Sequence, residues 1–334
     1  MRDSAQLLQV IHAGMVSAGL DVNAIYNRLG YDAERMDLRQ LRTPHQQQVF
    51  FWQTVETVTG DPDIGLHLCA HLPVYRGEVL EYLMFSSPTF ADGAARVFKY
   101  LRLVSDALDV RLQHGNGTAR LLIQSSTETA PALRHTEICT TYEIIRFAQE
   151  VSEQQFRAQE VHLQCERRSD PADYARVFGC PVRFDAPQTQ VSFDPAILAY
   201  RSPRNDPDLL QLHQELAEKR LSSLQRQDLI ERIRQIFAQR LELEQCDLEE
   251  VAIELGISAR RLRFELTRAG TSFSQLLAEF RFSLARRLLA ETAEPIENIV
   301  YLTGFSEPST FYRAFKRWAG MTPVQYRNSR ARPA

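Results

Sequence analysis

The sequence predicts an α+β N-terminal domain followed by an all-α C-terminal domain. The chain has 334 residues, and single hydrophobic cores rarely keep growing beyond about 250–300 residues. Its apolar residues change from helical spacing to strand-like alternation near residue 109, and no alternating pattern follows residue 208. We predict domains at 1–205 and 225–334, joined by a helical linker at 206–224.

The N-terminal domain begins with helical patterns and continues with short strands. Apolar residues at helical spacing indicate helices before residue 109, with Ser87 and Thr89 as capping candidates beside Pro88. Alternating apolar residues on both sides of a Gly-Asn-Gly turn then indicate a β-hairpin in a small antiparallel sheet. The predicted elements are helices within 45–60 and 86–110, a hairpin around Gly115-Asn116-Gly117, and strands within 160–166, 180–184 and 189–193.

Composition indicates a globular protein of the cytoplasm. Hydrophobic residues make up 44% and charged residues 24% of the chain, as is usual for soluble domains. No apolar run approaches the roughly 18–20 residues of a membrane helix, and the N-terminus lacks the pattern of an export signal. Five widely spaced cysteines argue against a disulfide framework or a zinc ribbon. We expect no membrane partner, no metal and no cofactor.

Charge is distributed unevenly along the chain. From Leu255 to Ala334 there are 13 basic and 6 acidic residues, a balance of +7. The preceding 254 residues carry 26 basic and 36 acidic residues, a balance of −10. This separation predicts that the C-terminal domain binds a polyanion and that the acidic domain does not.

A segment of the C-terminal domain repeats at an offset of 48 residues. Each copy has a short amphipathic helix, a turn opened by glycine, and a second amphipathic helix, which is the helix-turn-helix arrangement. After the turn the second copy needs one extra residue, which aligns Leu262 with Phe311 and Leu266 with Phe315. The pairs before it are Leu248 with Ile296, Val251 with Ile299, Ala252 with Val300, Gly256 with Gly304, and Ser258 with Ser306.

The second helix of each copy has an outward face that suits DNA. With its leucines or phenylalanines turned inward, basic and hydroxyl side chains fall on the opposite face. Such a helix fits a major groove, where arginine bonds guanine and hydroxyls reach bases or phosphates. The alternative, a solvated face of a helical bundle, is weakened by two basic copies at the basic end of the chain. The predicted DNA-binding residues are Arg260, Arg261, Arg263, Phe264, Arg268, Ser309, Thr310, Tyr312, Arg313 and Arg317.

A long helix separates the two copies. Apolar residues from Phe273 to Leu288 hold helical spacing within the segment 271–292, and about 20 residues at about 1.5 Å each span roughly 30 Å. Successive major-groove faces on one side of DNA lie about 34 Å apart. We therefore predict an all-α domain in which two helix-turn-helix motifs, joined by a long helix, bind two successive major grooves of double-stranded DNA.

These motifs resemble a known family of bacterial regulators. The region from about Leu224 to Arg327 resembles the tandem helix-turn-helix domain of AraC/XylS-type transcriptional regulators, whose signature is similar to PIENIVYLTGFSEPSTFYRAFKRWAGMTPVQYR. The resemblance implies promoter DNA and RNA polymerase as partners, and an activator more often than a repressor. It also implies base contacts, chiefly from Arg260, Arg263, Ser309, Thr310 and Arg313.

Two positions depart from the family pattern. Thr303 stands where the family usually has leucine. Phe264 is matched to Arg313, so an aromatic side chain takes the place of a basic or polar reader. Two interpretations of Phe264 stay open, contact with a thymine methyl group and packing inward.

The N-terminal domain resembles the arabinose-binding-type domain of many such regulators. The segments that carry the resemblance are GDPDIGLHL, YLMFSSPTFADGAARVFKYLRLVSDAL and FGCPVRFDAPQTQVSF. The resemblance implies that this domain binds a small organic effector and forms a homodimer, so the whole chain is expected to be a ligand-responsive regulator. The pattern assigns no residues to the effector.

Enzyme and metal-site hypotheses find less support. His67 and His71 lie four apart on a helix, but without the intervening glutamate of metalloproteases they are typical of a surface pair. Cys180 precedes proline in an apolar run, which favours a buried thiol over a nucleophile. A DNA-repair methyltransferase fused to this DNA-binding domain would need a cysteine zinc site, which is lacking, so we expect no enzyme. An effector-independent DNA-binding regulator is the remaining alternative.

Overall fold

A five-stranded sheet with helices packed against it forms the N-terminal part of the chain, and helices alone form the C-terminal part. The predicted fold class is thereby confirmed. The computed structural model describes residues 1–30, 42–74, 79–115, 117–125, 133–240 and 246–330. It divides into two units, Met1–Leu221 and Ser222–Ala334. No helix in these described ranges has the length and apolar character that crossing a membrane requires.

The strands are β1 (Arg2–Asp3), β2 (Thr43–Pro44), β3 (Leu108–Gly115), β4 (Thr118–Ser125), β5 (Ala158–His162), β6 (Val182–Arg183) and β7 (Thr189–Phe193), with β1 and β2 paired separately. The five-stranded sheet has the strand order β3-β4-β7-β5-β6. β3 and β4 form the predicted hairpin, although Asn116 in its turn lies outside the described residues.

One strand pairing differs from the predicted antiparallel sheet. β5 and β6 are parallel, whereas the other neighbours in this sheet are antiparallel. The helix Pro171–Phe178 lies between β5 and β6 along the chain. A helical crossover of this kind returns the chain to the end of the sheet where it started, so the next strand runs in the same direction.

Of the two predicted capping residues, Thr89 caps a helix and Ser87 does not. Thr89 caps α6 (Phe90–Tyr100), because its Oγ1 accepts from the backbone N–H of Asp92 at 3.2 Å, whereas the Ser87 hydroxyl donates to the Leu83 carbonyl at 2.6 Å. α6 ends at Tyr100 and a 3₁₀ turn follows, so the helix is shorter than the predicted 86–110. The helices are α1 (Ala5–Ser17), α2 (Val22–Arg28), α3 (Gln47–Thr59), α4 (Ile64–Cys69), α5 (Val79–Ser86), α6 (Phe90–Tyr100), α7 (Arg134–Val151) and α8 (Pro171–Phe178).

Two side chains considered as candidate site residues in the sequence are accounted for by their contacts and burial in the fold. His67 pairs through Nδ1 with Asp61 Oδ2 at 2.6 Å. Cys180 is buried as predicted, and burial raises the pKa of its thiol to about 11, so it stays protonated at neutral pH. Among the residues that the structure describes, no three His, Cys, Asp or Glu side chains come together as a metal site.

One helix of 34 residues, α9 (Pro207–Arg240), crosses the boundary between the two units. The sequence pattern suggests two helical stretches here, and the structure joins them. The residues of the predicted linker from Pro207 onward lie in this helix. The later helices are α10 (Leu248–Glu254), α11 (Ala259–Arg268), α12 (Phe273–Glu291), α13 (Ile296–Leu302), α14 (Pro308–Ala319) and α15 (Pro323–Arg330).

The second unit contains two small hydrophobic cores, one for each repeated motif. Leu266 of α11 lies in the first core and Phe315 of α14 lies in the second. α12 belongs to both, since it places Leu276 in the first core and Ala285 in the second. A single continuous helix therefore holds the two motifs together.

Candidate nucleic-acid interface

The first motif consists of α10, a glycine turn and α11. Asp247 caps α10 by accepting from the Glu250 backbone N–H at 2.8 Å, and Ser258 caps α11 by accepting from the Arg261 backbone N–H at 3.2 Å. Gly256 between them has a φ of +70°, a left-handed backbone conformation that residues with a Cβ atom rarely adopt. Ala252 is buried beneath the crossing helix, as its small size predicts.

The second motif repeats this geometry in α13 and α14. Gly304 has a φ of +73° in the turn. The extra residue of this copy is accommodated at the start of α14, where Glu307 is the N-cap residue and Pro308 takes the first helical position. Thr303 fills the place of the family's leucine because its hydroxyl donates to the Ile299 carbonyl at 2.6 Å, which satisfies the polar group in the core.

The structure places the predicted DNA-binding side chains on the open faces of α11 and α14. On α14, Tyr312 is the exception, since it is half-buried and packs edge-on against Phe311 at a centroid distance of 6.0 Å. The exposed set is Arg260, Arg261, Arg263, Phe264 and Arg268 on α11, and Ser309, Thr310, Arg313 and Arg317 on α14. Their contacts with DNA remain predictions.

Phe264 does not pack inward. Its side chain is 55% exposed, and the Arg268 guanidinium lies 5.6 Å from the centre of its ring. This cation–π contact gives the exposed ring a partner on the same face. The structure thus rules out inward packing, and contact of Phe264 with a thymine methyl group stays a prediction.

The basic side chains of the two exposed faces differ in the ion pairs that they form within the protein. On α11, Arg261 pairs with Glu265 at 2.7 Å and Arg263 pairs with Glu249 of α10 at 2.8 Å. Within the described ranges, Arg313 hydrogen-bonds only to the Thr310 hydroxyl, at 3.4 Å, and Arg317 forms no ion pair. Exposed ion pairs of this kind are weak, so phosphates can displace those of Arg261 and Arg263.

Arg281 connects α12 to the turn of the second motif. Its Nη2 donates to the Gly304 carbonyl at 2.8 Å, and its guanidinium lies 4.8 Å from the centre of the Phe305 ring. Burial lowers the pKa of this guanidinium, and these contacts offset the cost of removing the charge from water. Arg281 is not among the residues predicted from the sequence, although an arginine within the apolar stripe of α12 is a signal for such a contact.

We expect Arg281→Met to lower the free energy of unfolding by about 1–3 kcal/mol, because it removes a charged donor to a backbone carbonyl. Methionine keeps much of the aliphatic stem, so packing changes little. Arg287→Met is the matched control, since it makes the same change at an exposed position of α12, where we expect less than about 0.5 kcal/mol. Urea unfolding measures both values. Equal effects of the two substitutions would show that the contact with Gly304 does not stabilise the motif.

Two family profiles cover most of the chain. Residues 19–202, more than half of its length, match the arabinose-binding domain of AraC transcription regulators. Residues 251–329, which contain the two motifs, match a helix-turn-helix domain. The chain belongs to the AraC family of transcriptional regulators. It is therefore a DNA-binding transcriptional regulator with an arabinose-binding-type N-terminal domain, which confirms the resemblance found in the sequence.

Individual AraC-family relatives match along much of the chain. The ornithine utilization regulator of Pseudomonas aeruginosa is 29% identical over 338 aligned residues, which cover 98% of this chain and 98% of that protein. The regulator VirS of Mycobacterium tuberculosis is 26% identical over 272 residues, covering 80% of this chain and 78% of its own. The crystal structure of CdpR from Pseudomonas aeruginosa aligns with 97% of this chain at 17% identity and a TM-score of 0.49.

Proposed function

We propose that this AraC-family regulator activates transcription by placing α11 and α14 in two successive major grooves of its promoter. The observation that carries the proposal is the pair of exposed faces, each opposite a buried core and each presented by its own helix-turn-helix motif. A helix presented in this way reaches base edges with the side chains of its open face. The regulatory relatives support the same interpretation, and we propose no catalytic activity.

Individual residues take different roles in this proposal. Arg260, Arg263 and Arg313 read bases from the open faces, while Ser309 and Thr310 lie at the start of α14 and reach bases or phosphates. Phe264 contacts a thymine methyl group. The remaining basic residues, Arg261, Arg268 and Arg317, hold phosphates. Tyr312 is half-buried, and the edge of its ring contacts the DNA backbone.

A comparison of Arg313→Ala with Arg317→Ala tests this assignment. We expect Arg313→Ala to cost about 1–3 kcal/mol of binding free energy and to relax the preference at one base position. Arg317→Ala should instead weaken binding to all sequences and lower the salt slope by about one. Binding titrations at several salt concentrations, on a set of single-base variants of the site, separate the two. Equal and sequence-independent losses would show that Arg313 is not a base reader.

In this proposal the N-terminal unit is the part of the regulator that responds to an effector. We propose that it binds a small organic effector and pairs two chains as a homodimer, and that the DNA-bound dimer contacts RNA polymerase. The full-length match to an ornithine utilization regulator supports control of metabolic genes. An effector regulates only when its affinity differs between two states of the protein, so its binding must change the affinity for DNA.

A further inference from the structure

A cavity of about 170 Å³ lies in the N-terminal unit among α1, α3, α5, α6, α7 and the β3–β4 hairpin. An apolar cavity of about 150 Å³ accommodates benzene, so this one has room for a single ring. Its walls are aliphatic and aromatic, with Val10, Met84, Ala94, Val110, Leu121 and Phe147 among the lining residues. A native core is otherwise packed to high density, which makes a void of this size inside it a candidate ligand site.

The polar groups of the cavity gather at one end. Gln48, Thr136 and Thr140 line this cavity and also a second one of about 80 Å³ beside it. The Trp52 indole N–H donates to the Thr136 hydroxyl at 2.9 Å, and that hydroxyl donates to the Gln48 side-chain carbonyl at 2.6 Å. No hydrogen bond of the Thr140 side chain occurs among the described residues. Thr140 is therefore a hydroxyl available to a ligand.

The charge of the lining excludes an anion. No lysine or arginine is among the residues that line either cavity in the described part of the chain, whereas Glu143 lines the first and Asp3 and Glu137 line the second. Burial acts to raise the pKa of Asp3, but hydrogen bonds from His45, Ser105 and Gln48 outweigh it and the pKa is lowered, so Asp3 stays ionised. A buried anion without a counter-ion costs much free energy.

A sugar also fits this lining poorly. A sugar carries a hydroxyl group on nearly every carbon, and each buried hydroxyl needs a hydrogen-bond partner. Gln48, Thr136 and Thr140 lie together at one end of the cavity, where Thr136 already bonds to Trp52 and Gln48. The apolar walls would leave most sugar hydroxyls unpaired.

We infer that this cavity binds a mainly apolar small molecule that carries no negative charge, about the size of one aromatic ring with a single hydrogen-bonding group that meets Thr140. This inference rests on the proposed effector response and names the chemical class of the effector. An apolar ligand gains affinity from the walls, and one polar group fixes its orientation.

The helices that line the cavity also hold the start of α9. Ser86 Oγ of α5 is 3.1 Å from His213 Nδ1, the Tyr82 ring stacks on His213 at 5.0 Å, and the Tyr100 hydroxyl of α6 donates to Glu218 at 3.2 Å. α9 continues to Arg240 and supplies Phe237 to the core of the first motif. A ligand that shifts α5 and α6 thus acts on the helix that leads to α11.

Thermal unfolding of the full chain with ring-sized probes tests the cavity. We expect benzyl alcohol at millimolar concentration to raise the unfolding midpoint by about 2 °C or more. Benzoate, of the same size but anionic, should bind at least about tenfold more weakly, because it must bury its charge beside the carboxylate of Glu143. No shift with benzyl alcohol, or benzoate that binds as tightly, would overturn the inference.

Ala94→Leu fills the cavity and should abolish the shift, whereas Ala95→Leu makes the same change on the exposed side of α6 and should preserve it. Thr140→Val is a milder second variant that should weaken benzyl alcohol several-fold but leave toluene unaffected. A shift that survives Ala94→Leu places the ligand elsewhere and refutes the assignment.

DNA titrations with and without benzyl alcohol separate this inference from the proposed function. One outcome is that benzyl alcohol binds, that Ala94→Leu abolishes this binding, and that benzyl alcohol leaves the affinity for DNA unchanged. This outcome supports the ligand site and contradicts the effector response. Loss of site preference in the DNA titration itself, with ligand binding intact, contradicts the DNA-reading proposal alone.

Discussion

A duplex with about five base pairs inserted between the two major-groove segments is expected to lose at least about 100-fold of its specific affinity, because the insertion turns one segment to the opposite face. α12 (Phe273–Glu291) has 19 residues and is about 28 Å long at about 1.5 Å per residue. Leu276 near its start and Ala285 in its later half lie in the two different cores. A continuous helix anchored in this way cannot follow half a turn of DNA.

Binding titrations on three duplexes measure this effect: native spacing, a half-turn insertion and a full-turn insertion. A full-turn insertion returns the second segment to the same face of the duplex but moves it about 34 Å further along the axis. A continuous helix cannot span this added distance, so we expect little recovery of affinity. A duplex with native spacing and a scrambled second segment is the control for losing that segment altogether. If the half-turn duplex binds as well as the native one, α14 does not read DNA and its basic face is a solvated surface.

Phe315→Ala is expected to lower the free energy of unfolding of the C-terminal unit by about 3–5 kcal/mol. Phe315 is fully buried and contacts the rings of Phe282, Phe311 and Tyr326 at centroid distances of 5.6, 5.8 and 5.6 Å. Its truncation leaves a cavity in a small core that has few other residues to collapse into it. The loss is a large share of the total stability of a small domain.

Phe264→Ala is the matched control, because it removes the same ring from the exposed face of the second helix in the other motif. Phe264 is 55% exposed, so we expect a stability change within about 0.5 kcal/mol together with weaker DNA binding. Urea unfolding followed by tryptophan fluorescence reports the Phe315 effect, since Trp318 packs in the same core. Similar stability losses for both variants would mean that Phe264 packs inward after all.

The repeated motifs could be predicted from the sequence alone. Leu262, Leu266, Phe311 and Phe315 mark the buried side of each second helix, and helical geometry then places the remaining side chains outward. The glycine turns were visible for the same reason, since a left-handed residue is a local requirement. Helix faces and turns depend on neighbours a few residues away, so their pattern is already present in the amino-acid sequence.

Tertiary contacts settled the features that depend on residues far apart in the chain. The parallel pairing of β5 with β6, the ion pair of Arg263 with Glu249, the contact of Arg281 with Gly304, and the cavity between α6 and α7 each join separate segments. Periodicity shows which face of an element is apolar but not which partner covers it, nor where the covering leaves a void. Partner and void depend on how the elements pack in three dimensions, and packing is the information that a local pattern lacks.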